Sequence, residues 1–219
     1  MKYLIFLFVA ISFCSSCSQK GYYDFHLVEV YKNDAPAPGK ISIIKGPHHG
    51  HKYVYQGDSL SVEWYVSKHN YDLTLKNKSR HEIKIVWDSV VQITQKGEVE
   101  KLFPDESPFI DKDKSHTAVT VPVLKTHKNT LRLTSNVRFS DVHSYKYSET
   151  PHWEEWPIVM EAESRQERKA IASRTVNNIY KLKLPVLVNG QFTCYIFNFK
   201  VGRFIHCSTK TILNYDSNR

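Results

Sequence analysis

The amino-acid sequence predicts an all-β protein: an immunoglobulin-like antiparallel β-sandwich with one short surface helix near residues 161–172. From residue 53 onward, short runs alternate apolar and polar side chains, are rich in β-branched and aromatic residues, and are separated by turns at intervals of about ten residues. In addition, Asn189-Gly190 separates two long alternating runs, and this dipeptide is the strongest short-range signal for a β-hairpin.

The alternating runs define the strands that we expect. They are 25–31, 41–44, 60–66, 71–75, 83–87, 90–94, 99–103, 116–121, 130–133, 180–188 and 192–201. Residues 140–160 show no such alternation and are predicted to be irregular. In the helical segment, acidic residues precede basic ones, which favours i,i+4 ion pairs and suits the helix dipole. Its apolar face is thin, so we expect this helix to lie on the surface.

The first 16 residues have the layout of a secretory signal. Lys2 precedes an apolar run over 3–13, and small residues stand directly before Cys17. This run is too short to cross a bilayer, which requires about 20 apolar residues. The layout predicts a lipoprotein signal peptide over 1–16 and lipidation at Cys17. Ordinary cleavage nearby, which would release a soluble protein, is the alternative.

The pattern of strands and turns divides the rest of the chain into three segments. Residues 17–52 are predicted to be a tether with lead-in strands, 53–208 the β-sandwich domain, and 209–219 a C-terminal tail. Ser18 follows Cys17, where an Asp would be typical of inner-membrane retention, and no acidic run follows. By resemblance to bacterial lipoproteins, both features favour the outer membrane and its periplasmic face.

The chain is basic, with a formal net charge of +8 over 219 residues. Nucleic acid is a poor partner for an exported protein. Anionic lipid headgroups or acidic glycans suit the predicted location better, and the alternative is that the charge serves only solubility.

Two cysteines, Cys194 and Cys207, lie beyond the signal segment. Export favours a disulfide between them. If the chain turned back around Gly202, the two cysteines would lie on neighbouring strands. They would miss direct pairing by one to two residues, a displacement that a β-bulge could correct. If the second segment continued outward instead, the pair would stay apart. The sequence leaves both possibilities open.

One sequence cluster, Trp153, Glu154, Glu155 and Trp156, combines carboxylates with aromatic rings. Such groups form sugar-binding sites or, when two carboxylates flank a bond, glycosidase sites. Packing of the tryptophans is the alternative.

His48, His49 and His51 could ligate a metal ion, but they stand in a Gly/Pro loop that supplies no fixed geometry. We therefore predict no metal site and no cofactor. The sequence also contains no G-x-S-x-G or H-E-x-x-H motif of a hydrolase.

A longer pattern runs through residues 61–93. Its residues are Trp64, Leu73, Leu75, Asn77, Lys78, Ile83, Ile85, Trp87 and Asp88. This pattern resembles a group of uncharacterised Gram-negative β-sandwich lipoproteins, and the likeness covers 55–201 except for 104–150. The resemblance implies a fold and an envelope location, and it transfers no catalytic residue.

These features predict a cell-envelope lipoprotein that is not an enzyme and works as a binding or assembly module. Its expected partners are the membrane, through the N-terminal lipid, and an envelope protein or glycan. The alternative is an envelope glycan-binding protein or a glycan hydrolase that uses Glu154 or Glu155.

Overall fold

The computed structural model describes residues 21–47, 50–140, 151–159 and 164–206. Within these ranges the chain forms fifteen strands and one α-helix, α1 (Arg165–Thr175). The strands are β1 (Gly21–Lys32), β2 (Ala35–Pro36), β3 (Lys40–Lys45), β4 (His51–Gln56), β5 (Leu60–Val66), β6 (Asn70–Asn77), β7 (Ile83–Ile85), β8 (Val91–Ile93), β9 (Val99–Pro104), β10 (Val119–Val121), β11 (Thr126–Leu133), β12 (Val137–Ser140), β13 (His152–Glu155), β14 (Ile179–Val188) and β15 (Gln191–His206).

Two antiparallel sheets form the body of the protein. Sheet A has the strand order β2-β1-β15-β14-β8, with β7 beside β14 and β10 beside β7. Sheet B has the order β3-β4-β5-β6-β11. Strand β9 pairs with β8 of sheet A and with β11 of sheet B, so it joins the two sheets at one side. The predicted all-β antiparallel sandwich is confirmed.

Aromatic side chains fill the space between the sheets. In β5 every second residue is buried, as expected for a strand with one face toward the core. Trp64 of this strand has no exposed surface and meets Phe197 and Phe199 of β15 edge to face, with ring centroids 5.3 and 6.1 Å apart. These contacts between the two sheets form the centre of the core.

The hairpin between β14 and β15 forms as predicted. Asn189 and Gly190 both have positive φ angles, 51° and 72°, and Val188 pairs with Gln191 across them. Such a turn matches the twist of the two strands that it connects.

Strand β15 does not turn back at Gly202, so of the two possibilities that the sequence left open, the segment that continues outward is the one that forms. The strand continues to His206, because β1 lies alongside it as a partner as far as Gly21. Gly202 permits close approach instead of a turn: a Cβ atom at this position would overlap the side chains of Asp24 and His26.

The residues expected to be a tether with lead-in strands include β1, which is a full strand of the sandwich. Tyr23, Phe25 and Leu27 of β1 are buried in the same core as Trp64. The boundary expected at residue 53 is therefore not a packing boundary, since the described sandwich begins with β1.

Helix α1 lies on the surface, as predicted, but with different bounds. The Ser164 hydroxyl accepts a hydrogen bond from the backbone N–H of Glu167 at 3.1 Å, which caps the helix N-terminus. Ile171 and Ala172 are partly buried against the core, whereas most other positions of the helix with described side chains are exposed. The described helix starts four residues after and ends three residues after the bounds 161–172 that the sequence pattern indicated.

We predict that Cys194 carries a free thiol. Cys207 lies outside the described residues, but it directly follows His206, which is twelve residues beyond Cys194 on the same strand. At about 3.3 Å per residue these ends lie roughly 40 Å apart, whereas a disulfide requires Cα atoms within about 7 Å. Burial also raises the pKa of the Cys194 thiol, which slows its alkylation.

Peptide mapping after alkylation under denaturing, non-reducing conditions tests this prediction. We expect an alkylated peptide that contains Cys194. A linked peptide that contains both Cys194 and Cys207 from monomeric protein would contradict it.

Candidate functional site

The segment around Trp153 forms a strand, where the sequence predicted irregular structure. Strand β13 pairs with β12 so that Trp153 lies opposite Phe139 and Glu155 opposite Val137. Neighbouring side chains of a strand point to opposite sides. Glu154 and Glu155 therefore face opposite sides of the hairpin.

One side of this hairpin is tied to the sandwich by Arg132. The guanidinium donates to Glu155 Oε1 through Nε at 3.3 Å and also pairs with Asp105. It lies 5.4 Å above the ring of Phe109, and that ring in turn meets Trp153 at 5.9 Å. The carboxylate of Glu155 is thus held in an ion pair beside a small aromatic cluster.

The other side of the hairpin carries Glu154 and Trp156. The indole N–H of Trp156 donates to Glu154 Oε2 at 3.4 Å, and the guanidinium of Arg138 lies 4.8 Å above the Trp156 ring. The structure therefore separates the four residues of the sequence cluster into two pairs, Trp153 with Glu155 and Glu154 with Trp156.

A groove of about 490 Å³ lies on the outer face of sheet B, next to Arg132. We call it the sheet B groove. Its lining residues are Asp72, Leu73, Thr74, Asp105, Glu106, Lys128, Asn129 and Thr130. The register of β6 and β11 pairs Asp72 with Thr130 and Thr74 with Lys128, so these four side chains share one face.

Asp72 is a partly buried carboxylate of the groove. Thr130 Oγ1 donates a hydrogen bond to Asp72 Oδ1 at 2.8 Å. Burial raises the pKa of Asp72, while the Thr130 hydrogen bond and the charges of Arg132 and Lys52 act in the opposite direction. A partly buried carboxylate whose charged form is disfavoured, placed in a concave surface, is a typical mark of a functional site.

Replacing Asp72 by Asn is expected to stabilise the protein near neutral pH. The pKa of Asp72 in the folded state lies above its usual 3.8, so the folded chain binds a proton more readily than the unfolded chain. The free energy of unfolding therefore falls as the pH rises from 3.8 through the folded-state pKa, and it stays lower above that pKa. An Asn amide is neutral throughout this range and still accepts the hydrogen bond from Thr130.

Urea denaturation at low and neutral pH measures this effect. We expect D72N to be more stable than the wild type at neutral pH and equal to it below the pKa window. The exposed turn residue Asp58, as D58N, is the matched control. A D72N variant that is less stable than the wild type at neutral pH would contradict the burial argument.

A second, smaller cavity of about 330 Å³ lies under the loop between β9 and β10. Trp87, Ser107 and His116 are among its lining residues, and Ser107 Oγ lies 2.9 Å from His116 Nδ1. The backbone N–H of His116 donates to the Asp88 carboxylate at 2.8 Å, and the imidazole ring of His116 stacks on Phe103. These contacts fix the loop against the sandwich.

The histidine cluster is described only in part. His51 opens β4 as an exposed residue, whereas His48 and His49 lie outside the described residues. Among the residues with described positions, no group of three or more His, Cys, Asp or Glu side chains could hold a metal ion. In the same part of the chain, no helix is long and apolar enough to cross a membrane.

The chain matches no protein-family model, no curated protein and no solved structure. The function is therefore inferred from the residues of this chain. Residues 1–16 and Cys17 lie outside the described ranges, so the signal peptide and the lipid anchor stay predictions.

Proposed function

We propose that this chain is a cell-envelope lipoprotein, anchored through Cys17 in the outer membrane and facing the periplasm, whose sandwich is a non-catalytic binding module. Its ligand is a hydroxyl-rich glycan that binds in the sheet B groove. The observation that carries the proposal is the groove itself, where carboxylates, hydroxyls and an ammonium group share one concave face.

The groove offers the hydrogen-bonding groups that a sugar needs. Asp72 and Asp105 accept from hydroxyls, Thr74 donates and accepts, and Lys128 donates. Thr130 donates its hydroxyl proton to Asp72 and so offers the ligand an acceptor. A volume of about 490 Å³ is within the usual range of ligand sites. Asp105 of the groove pairs with Arg132, and Arg132 lies over Phe109 of the aromatic cluster. Aromatic rings beside a polar groove suit the apolar faces of sugar rings.

The geometry of the hairpin favours binding over hydrolysis. A glycosidase needs two carboxylates on either side of one bond, about 5–10 Å apart. Glu154 and Glu155 face opposite sides of β13, and Glu155 is already paired with Arg132. This arrangement argues against the alternative of a hydrolase that uses these two residues.

The predicted anchor is tested by replacing Cys17 with Ala. We expect the wild-type protein to incorporate labelled fatty acid and to sediment with membranes, whereas C17A takes up no label and appears in the soluble envelope fraction. The matched control is C14A, which keeps the lipid site and stays with the membrane. A C17A protein that remains membrane-bound would contradict the anchor.

The groove is tested by calorimetric titration with soluble oligosaccharides of hexoses and N-acetylhexosamines. A hydrogen bond to a charged group contributes about 1.5–3 kcal/mol, so K128A is expected to weaken binding by roughly tenfold or more. Lys181, an exposed lysine on β14, gives the matched control K181A with unchanged affinity. Equal affinities of K128A and the wild type, or no binding of any glycan, would contradict the proposal.

A further inference from the structure

Three turns come together at one end of the sandwich. Ile83 of β7 pairs with both Val121 of β10 and Val188 of β14, so these residues lie in one row across the strands. The chain segments 78–82, 122–125 and 189–190 extend directly beyond this row. We call this end of the sandwich, with the flanking residues Lys84 and Phe192, the turn end.

The turn end exposes large apolar side chains. Leu124 is 69% exposed, Phe192 60% and Val123 39%. Leu124 has a φ angle of +59° in a turn closed by a hydrogen bond from the N–H of Lys125 to the carbonyl of Pro122. Gly or Asn normally occupies such a position, because the left-handed conformation costs other residues about 1–2 kcal/mol. The chain thus presents a bulky apolar residue at an exposed and strained position.

Exposed cations occupy the same turns and their flanks. The exposed cationic residues of the three turns and their flanks are Lys78, Arg80, Lys84 and Lys125. Glu82 is the acidic residue in the same segments, and Asp58 lies in the neighbouring turn between β4 and β5. Exposed apolar tips ringed by Lys and Arg are typical of surfaces that enter the interface of an anionic bilayer.

The turn end lies far from the predicted lipid. Strand β15 begins at this end with Gln191 and runs 16 residues to His206, which pairs with Gly21 at the start of β1. At about 3.3 Å per residue the two ends of β15 are roughly 50 Å apart. Cys17 is four residues before Gly21, a reach of at most about 14 Å. The turn end is therefore at the opposite end of the sandwich from the anchor.

We propose that the turn end docks onto a second, anionic bilayer that faces the one holding the lipid anchor. Leu124, Val123 and Phe192 enter the headgroup region, while the surrounding cations contact lipid phosphates. Convex turns with projecting apolar tips fit a planar bilayer better than the pocket of a folded partner. The orientation toward a second bilayer rests on the proposed anchor at Cys17, whereas the lipid affinity of the turn end does not.

The test uses the full lipidated chain in phosphatidylcholine vesicles, mixed with dye-labelled vesicles of equal parts phosphatidylcholine and phosphatidylglycerol. We expect the wild type to tether the two populations. Each cation at an anionic surface contributes about 1 kcal/mol, so R80S and K125S should each lower the affinity about fivefold. L124S should lower it by roughly tenfold or more, because burying a Leu side chain contributes about 1.5–3 kcal/mol.

The matched control is V99S, at a residue that is 64% exposed in the β9 strand. Flotation of C17A with the anionic vesicles alone separates the two proposals, since this protein lacks the anchor and keeps the turn end. If C17A binds these vesicles and L124S weakens that binding as expected, the docking surface is supported even if the anchor is wrong. The inference would be overturned if the protein did not bind the anionic vesicles, or if it bound neutral vesicles equally well. It would also be overturned if a crosslinker placed at position 124 captured an acidic protein instead of lipid.

Discussion

Replacing Trp64 by Ala is expected to lower the free energy of unfolding by about 3–5 kcal/mol, the usual cost of removing a large buried aromatic side chain. Trp64 has no exposed surface and contacts Phe197 and Phe199 of the opposite sheet. The variant therefore opens a cavity where the two sheets meet. Domains are typically stable by only about 5–15 kcal/mol, so this loss removes a large part of the total.

Urea denaturation followed by circular dichroism measures the effect of W64A. The matched control is I110A, because Ile110 is 75% exposed. We expect I110A to stay within about 0.5 kcal/mol of the wild type, as for other surface changes. A W64A variant whose stability is close to that of I110A would show that these ring contacts do not hold the sheets together.

Replacing Asn77 by Ala is the second change with a large expected effect. The fully buried Asn77 amide donates to the carbonyls of His81 and Val121 at 2.8 and 2.9 Å. Its side-chain oxygen accepts from the N–H and the hydroxyl of Ser79 at 2.9 and 2.8 Å. Buried groups that lose a partner cost about 1–3 kcal/mol each, so we expect N77A to lose roughly 2–4 kcal/mol.

The matched control for N77A is N178A. Asn178 donates to the carbonyl of Arg174 at 2.8 Å, but this hydrogen bond is exposed to solvent, so water can replace it and the cost should stay below about 1 kcal/mol. Hydrogen exchange provides a local readout. The amide of Ser79 should exchange faster in N77A, because its acceptor is gone. Equal stability losses in the two variants would contradict the role of Asn77.

Most strands could be predicted because the alternation of apolar and polar side chains along a half-buried strand is visible in a single sequence. The run 60–66 coincides with β5, since each second residue of that run is apolar and faces the core. Strand β13 could not be predicted, because His152–Glu155 has a single apolar residue and pairs only with the short strand β12. The extension of β15 beyond Gly202 depends on its partner β1, which the local pattern does not reveal.

The candidate sites could not be predicted from the sequence pattern, because the fold forms them from residues that are far apart in the sequence. In the sequence, Asp72 has the position of an ordinary solvent-facing residue in an alternating strand. Only the pairing of β6 with β11 places it beside Thr130 in a groove. The sequence cluster at Trp153 borders this groove, because Arg132 pairs both with Glu155 of the cluster and with Asp105 of the groove. Its two carboxylates could not be assigned to opposite sides until β13 was known.

Nuclear magnetic resonance tests whether the sheet B groove binds a glycan. Amide signals of the isotope-labelled chain are followed while a soluble envelope oligosaccharide is added. We predict that the shifts concentrate on Asp72, Thr74, Lys128 and Thr130. K128A should need roughly tenfold more oligosaccharide, or more, to reach the same shifts, whereas K181A should titrate like the wild type. Shifts confined to residues outside the groove, or no shifts with any oligosaccharide, would contradict the claim.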